Sequence, residues 1–162
     1  MTPVSDLPDI HSLVPHSGAM SLLGRLLGAD DENLCAEVEI HANSMFCADG
    51  AVGAWVGVEY MAQAVAAHAG YCARRRGQPV RVGFLLGTRR YSCAVAAFPV
   101  GSRLHVHVQR ALQGENGLGA FECRIVDARA GQDGQDGQEL ASATITVYQP
   151  DNVEQFLQRS SE

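Results

Sequence analysis

Glu59 is the residue of this chain whose setting best suits acid–base chemistry. It lies within Trp55-Val-Gly-Val-Glu-Tyr-Met-Ala-Gln63, among apolar or small residues. A carboxylate shielded in this way loses hydration, which favours its neutral form and lets it exchange a proton near neutral pH. Gln63 follows by one helical turn on the same face and can orient the acid. The alternative is a solvated first-turn acid that stabilises the helix dipole.

The elements around this segment predict an α+β domain. A helix is expected from about residue 55 to 76, ended by Gly77-Gln78-Pro79. Strand-like runs cover residues 19–27, 34–40, 82–97, 103–112, 118–128 and 140–148. In the run 34–40 apolar residues alternate with polar ones, which predicts a strand with one solvated face. One long helix among antiparallel strands buries its apolar face on a curved sheet.

The composition indicates one soluble domain, expected over residues 1–150, followed by a polar tail over 151–162. Of 162 residues, 46% are hydrophobic and 19% are charged, which is enough to form a core. The first residues carry two acids and no apolar run, and no later run is long enough to span a membrane, so a cytoplasmic location is expected. The five cysteines lack disulfide or zinc-ribbon spacing, which predicts reduced thiols.

The net charge is −6, yet the middle of the chain is basic, because eight arginines and no acid lie between Glu59 and Glu115. The densest part comprises Arg74, Arg75, Arg76, Arg81, Arg89 and Arg90. Guanidinium groups bind phosphate or carboxylate through bidentate hydrogen bonds, so this cluster predicts an anionic partner. The alternative is that the arginines complement the dipole at the helix end. An acidic total without interleaved aromatic residues disfavours nucleic acid.

No metal site is expected from the histidines. His105 and His107 share one face of a strand, which is the spacing that a pair of metal ligands would use. No carboxylate lies near them in the sequence.

The chain resembles the hot-dog-fold 3-hydroxyacyl-ACP dehydratases. Their active-site helix reads P-G-V-L-x-x-E-A-M-A-Q, and here the segment reads Gly53-Ala-Trp-Val-Gly-Val-Glu-Tyr-Met-Ala-Gln63. Further matches are Leu13-Val-Pro-His-Ser-Gly-Ala-Met20, Phe84-Leu-Leu-Gly87 and Pro99-Val-Gly101. The Trp-Val-Gly form is similar to the dehydratase-like proteins of aryl polyene clusters. The resemblance implies a long central helix wrapped by a curved antiparallel sheet of about five to six strands.

It also implies roles for individual residues. Glu59 would transfer protons with Gln63 supporting it, and the backbone N–H groups of Ala54 and Trp55 would hold the thioester carbonyl oxygen. The family's histidine falls on Met45, which cannot act as a base, so His16 is the expected substitute. The acyl tunnel would be lined by Met20, Met45, Phe84 and Leu85.

The implied reaction removes water from a 3-hydroxyacyl thioester to give a trans-2-enoyl thioester, in fatty acid or polyene synthesis. No cofactor is expected beyond the phosphopantetheine that carries the substrate, on an acidic acyl carrier protein facing the arginines or on coenzyme A. The fold implies a homodimer or a hetero-oligomer with a related hot-dog protein. Two alternatives are an acyl thioesterase, since a carboxylate that activates water needs no histidine, and a catalytically silent partner subunit.

Overall fold

The computed structural model describes residues 3–14, 21–79, 84–114, 116–128 and 137–149. Its main element is helix α1, Gly57–Arg75, preceded by a 3-10 turn at Ala54–Val56. The strands are β1 Arg25–Ala29, β2 Asn33–Glu39, β3 Cys47–Ala48, β4 Ala51–Gly53, β5 Phe84–Cys93, β6 Ala97–Pro99, β7 Arg103–Gln113, β8 Leu118–Asp127 and β9 Glu139–Tyr148. The tail expected over 151–162 lies outside the described residues.

Six strands form one antiparallel sheet in the order β1-β2-β7-β8-β9-β5, and β3, β4 and β6 form a second, smaller sheet. The predicted α+β arrangement is confirmed, with the sheet at the upper end of the predicted strand count. The three short strands were not predicted, because two or three residues are too few to show a period. The strand predicted over 82–97 ends at Cys93 as β5, and β6 begins separately at Ala97 in the small sheet.

The core lies between α1 and the inner face of the large sheet. On β7 the inward residues Leu104, Val106 and Val108 are almost fully buried, and Met61, Ala64 and Val65 of α1 are buried too. Each large apolar side chain removed from water contributes roughly 1.5–3 kcal/mol. None of the helices in the described part of the chain has the length and apolar character needed to cross a bilayer.

Gly70 lets the N-terminal segment approach α1 closely. A glycine inside a helix is about 1 kcal/mol less favourable than alanine. Here a Cβ atom would overlap the backbone carbonyl of Leu13, which follows the 3-10 turn Ile10–Ser12. Leu13 and Ile10 are buried, so the missing side chain allows this segment to cover one side of the helix.

The outer face of β2 differs from its prediction. Cys35 is 7% and Glu37 only 3% exposed, whereas the alternating pattern predicts solvated positions. Glu37 is covered by Arg25, whose Nε lies 3.0 Å from Oε1, and by Arg103. Burial raises the pKa of Glu37, but hydrogen bonds from Arg25 and His105 outweigh it, and the net pKa is lowered. Alternation identifies the face of a residue but not what covers it.

Candidate active site

Glu59 is held in place by Gln63. It lies half-buried in the first turn of α1, and Nε2 of Gln63 is 3.2 Å from its Oε1 atom. Gln63 is 1% exposed, and its Oε1 accepts a hydrogen bond of 2.8 Å from the backbone N–H of Leu22. Because a backbone N–H can only donate, the amide oxygen faces Leu22 and the NH₂ group faces the acid. The segment before β1 thereby fixes the direction of the hydrogen bond to Glu59.

A cavity of about 470 Å³ runs beside α1, and Glu59 and Gln63 line it. The same helix face continues through Ala62, Ala66, Ala69 and Ala73 to Arg76, which all line the cavity. Opposite them lie Leu85, Arg110, Leu112, Phe121 and Val147. The alanines leave room that larger side chains would fill. The cavity therefore has an acid near the start of the helix and a cation near its end.

Arg110 is a second cation in this cavity, and it was not predicted from the sequence. Its side chain is 15% exposed, and its buried Nε has no hydrogen-bond partner among the described residues. Its Nη1 atom lies 3.9 Å from Oε1 of Glu32, and its Nη2 atom lies 3.9 Å from Sγ of Cys72. A signal was available, because Arg110 falls at the next inward position after Leu104, Val106 and Val108. Burying a charge costs free energy unless the charge is paired, so an arginine at an inward position indicates an anionic partner.

The start of the helix corrects one predicted role. The N–H of Ala54, expected to hold the thioester carbonyl, donates to the carbonyl of Ala96 at 3.0 Å. This bond extends the pairing of β4 with β6 by one residue. The first N–H groups of a helical turn have no acceptor within the turn. With Ala54 occupied, the N–H of Trp55 is the donor that suits this role.

Tyr91 fastens the same turn to β5. Its hydroxyl donates to the carbonyl oxygen of Ala54, which also accepts the N–H of Gly57. Burial raises the pKa of Tyr91, so the phenol remains a neutral donor. A Cβ atom on Gly57 would overlap this hydroxyl. The role of Tyr91 was not predicted, although a glycine between Val56 and Val58 indicates a close approach to the helix.

Two of the residues predicted to line the acyl tunnel, Leu85 and Met45, line different cavities. Leu85 lines the cavity of Glu59, but Met45 lines a separate one of about 870 Å³ with Leu22 and Tyr60. Met45 precedes β3 and is not among the residues that line the cavity of Glu59. Glu59 lines the smaller of these two cavities. His16, Met20, Arg81 and the side chain of Phe84 lie outside what the structure describes.

The other predicted arginines lie at two places. Arg74 donates to Ser12 Oγ at 3.1 Å, and Arg75 forms an ion pair of 2.8 Å with Asp31. Both therefore have partners within the chain, while Arg76 lines the cavity. Arg89 and Arg90 are exposed on β5, at the edge of the large sheet.

Comparison with known proteins agrees with this description. The sequence model of the ApeP-like family, described as ApeP dehydratase, matches residues 8–158. The chain is similar to the structure of the dehydratase heterocomplex ApeI:P from Xenorhabdus doucetiae, with a TM-score of 0.83 and 26% identity over 96% of this chain and 99% of that one. No curated protein sequence matches.

More distant structures show the fold alone. A hypothetical thioesterase with coenzyme A from Streptococcus pneumoniae TIGR4 has a TM-score of 0.59 and 13% identity over 77% of this chain and 84% of that one. Zebrafish thioesterase superfamily member 2 has a TM-score of 0.63 and 12% identity over 86% of this chain and 91% of that one. The predicted hot-dog fold is thus confirmed. Because the family match extends from the N-terminal segment to beyond β9, this chain belongs to the ApeP-like dehydratase family.

Proposed function

We propose that this dehydratase eliminates water from a 3-hydroxyacyl thioester and yields a trans-2-enoyl thioester. The C2–H bond breaks and its electron pair forms the new double bond, while the C3–O bond breaks and the hydroxyl leaves with a proton as water. Glu59 is the group that transfers protons. The observation that carries this proposal is the hydrogen bond from Gln63, which holds the carboxylate at the wall of a cavity.

The thioester carbonyl binds at the N–H of Trp55. Negative charge develops on this oxygen as C2 loses its proton, and a fixed donor stabilises that charge. The amide belongs to the turn that leads into α1, where the helix dipole also favours negative charge. Tyr91 holds this turn through the carbonyl of Ala54, so the donor is fixed before substrate binds.

The substrate is carried on phosphopantetheine, whose phosphate binds at Arg110 and Arg76. Cys72, which contacts Arg110, lies about 20 Å along α1 from Glu59 at the helical rise per residue. An extended pantetheine arm spans roughly 16 Å between phosphate and sulfur by ordinary covalent dimensions. The cavity therefore suits a phosphate at one end and a thioester at the other. Exposed Arg89 and Arg90 suit an acidic carrier protein, with coenzyme A as the alternative carrier.

A second hot-dog subunit completes the assembly. Strand β5 pairs only with β9 among the described strands, and Leu85 and Leu86 on it are 48% and 54% exposed. Such an edge is suited to pairing with another sheet. The similar structure ApeI:P is a heterocomplex, and a second subunit can supply the base that Met45 does not. The five cysteines carry free thiols, which supports a reducing compartment such as the cytoplasm.

The test is Glu59→Gln, which keeps the shape of the side chain and removes its proton transfer. Purified protein, alone and with a co-expressed hot-dog subunit, is given a 3-hydroxyacyl carrier thioester, and the absorbance of the enoyl product is followed. We expect the substitution to abolish turnover. The matched control is Glu139→Gln, which alters an exposed carboxylate on β9 and should leave turnover unchanged.

Other outcomes overturn the proposal in different ways. Release of free thiol without enoyl product would identify a thioesterase. Turnover that requires the second subunit but is unaffected by Glu59→Gln would make this chain a silent partner. Unchanged turnover by the purified chain alone would remove Glu59 from the mechanism.

A further inference from the structure

Four side chains with metal-binding chemistry meet on the outer face of the large sheet, away from the cavity of Glu59. In the antiparallel pairing of β2 with β7, Cys35 stands opposite His107, and Glu37 stands opposite His105. Residues two apart on a strand share a face, so both pairs project to the same side. No carboxylate lies near the two histidines in the sequence, because β2 and β7 are far apart along the chain.

The distances suit a metal ion. The ligand atoms of Cys35, His105 and His107 all lie within 4.8 Å of one another, and Sγ of Cys35 is 3.8 Å from Nε2 of His107. In a tetrahedral zinc site, bonds of about 2.3 Å to sulfur and 2.0–2.1 Å to nitrogen put these two atoms about 3.6 Å apart. The thiol and the imidazole therefore approach that separation before any ion binds.

Glu37 fixes the His105 ring. Its Oε2 lies 3.2 Å from Nε2 of His105, and an ionised carboxylate can only accept a hydrogen bond. Nε2 therefore carries the proton, and Nδ1 carries the lone pair. Metal-binding histidines commonly donate their other N–H to a carboxylate in this way.

The local charges allow a cation at this place. Arg25 pairs with Glu37, while Arg103 contacts both Glu37 and Glu39. Arg124 of β8 stands opposite His107 on the same face, so three cations meet two anions there, and a bound Cys35 thiolate would add the third negative charge. His105 is 25% exposed and His107 is half-buried, so an ion can enter from solvent.

We propose that Cys35, His105 and His107 bind one divalent ion of the zinc class on the outer face of the sheet, with Glu37 orienting His105 and water in the remaining position. One thiolate and two imidazoles match the ligand preference of zinc. Such an ion would join β2 to β7 and stabilise the sheet, separately from the chemistry at Glu59.

Cobalt(II) serves as the probe, because its thiolate complexes absorb light and zinc then displaces it. We expect the reduced, metal-free full chain to bind one cobalt ion with a thiolate-to-cobalt band that zinc abolishes. Cys35→Ser should remove the band, and His107→Ala should weaken zinc binding by more than about 100-fold. Glu37→Gln should weaken it about 10- to 100-fold.

The controls are Cys93→Ser and His11→Ala, which remove an exposed thiol on β5 and an exposed imidazole on the N-terminal turn and should leave the band intact. A band that survives Cys35→Ser, or one lost with Cys93→Ser, would overturn the proposal. Circular dichroism establishes that each variant is folded. If Cys35→Ser does not fold, unchanged zinc affinity in folded His107→Ala would overturn it equally.

Discussion

Gln63 and Glu59 form a hydrogen bond of fixed direction, in which the amide NH₂ donates to the carboxylate because the amide oxygen is taken by the N–H of Leu22. We expect Gln63→Ala to lower kcat about 10- to 100-fold, since a misplaced reacting group costs rate of this order. The unpaired N–H of Leu22 should also reduce the free energy of unfolding by about 1–3 kcal/mol. Turnover and urea unfolding measure the two effects. Gln109→Ala, on the outer face of β7, is the control, and unchanged kcat in Gln63→Ala would exclude the positioning role.

Arg110 offers a test of where the substrate phosphate binds. Arg110→Gln should raise KM for carrier-bound substrate, because the buried guanidinium would no longer meet the phosphate, while kcat changes little. A short N-acetylcysteamine thioester lacks this phosphate and should show the same KM in both proteins. An equal rise of KM for both substrates would point to a general disturbance of the cavity.

Leu86 tests whether the exposed edge of the sheet at β5 forms the interface between subunits. A charge at this exposed position on β5 should weaken assembly, so Leu86→Asp should lower the mass of the particle measured by light scattering after size exclusion. Val4→Asp changes a side chain that is 64% exposed on the N-terminal turn and should leave assembly intact. An unaltered particle mass in Leu86→Asp would place the interface elsewhere.

Gly70 should resist replacement by alanine even though it lies inside a helix. The usual gain of about 1 kcal/mol should become a loss of about 1–3 kcal/mol, since the new Cβ overlaps the carbonyl of Leu13. Thermal unfolding gives the sign directly. Gly87→Ala, where a Cβ meets nothing within 4 Å, should be nearly neutral, and a more stable Gly70→Ala would refute the close approach.

His68 should make stability depend on pH. Burial and then the charge of Arg110 lower its pKa from the ordinary 6.5, so protons bind more readily to the unfolded chain. Its contribution is present above about pH 6.5 and is lost as the pH falls through the lowered value. Urea unfolding gives the free energy of unfolding at each pH between 7 and 5. This free energy should fall less steeply with pH in His68→Gln than in the wild type. Glu37, whose pKa is lowered from the ordinary 4.5, contributes equally in both proteins, and equal slopes would contradict the prediction.

Sequence alone determined the α+β class, the helix and the long strands, because their apolar periods extend over many residues. It also predicted that Gln63 lies one helical turn from Glu59 on the same face, and the hydrogen bond between them confirms this. The short strands, the occupied N–H of Ala54 and the placement of Met45 and Leu85 in different cavities depend on contacts between distant segments, and no local pattern shows these.

The same division explains the residues that were missed. Arg110 and Tyr91 sit in ordinary strand patterns, and only the packing of β5 and β7 against α1 brings them to the cavity and to the helix start. Cys35 and His107 meet because β2 and β7 pair in one register. Sequence determined which side chains share a face, since backbone geometry sets that locally. The tertiary structure decided what each face meets, since that depends on pairing between parts of the chain that sequence spacing does not relate.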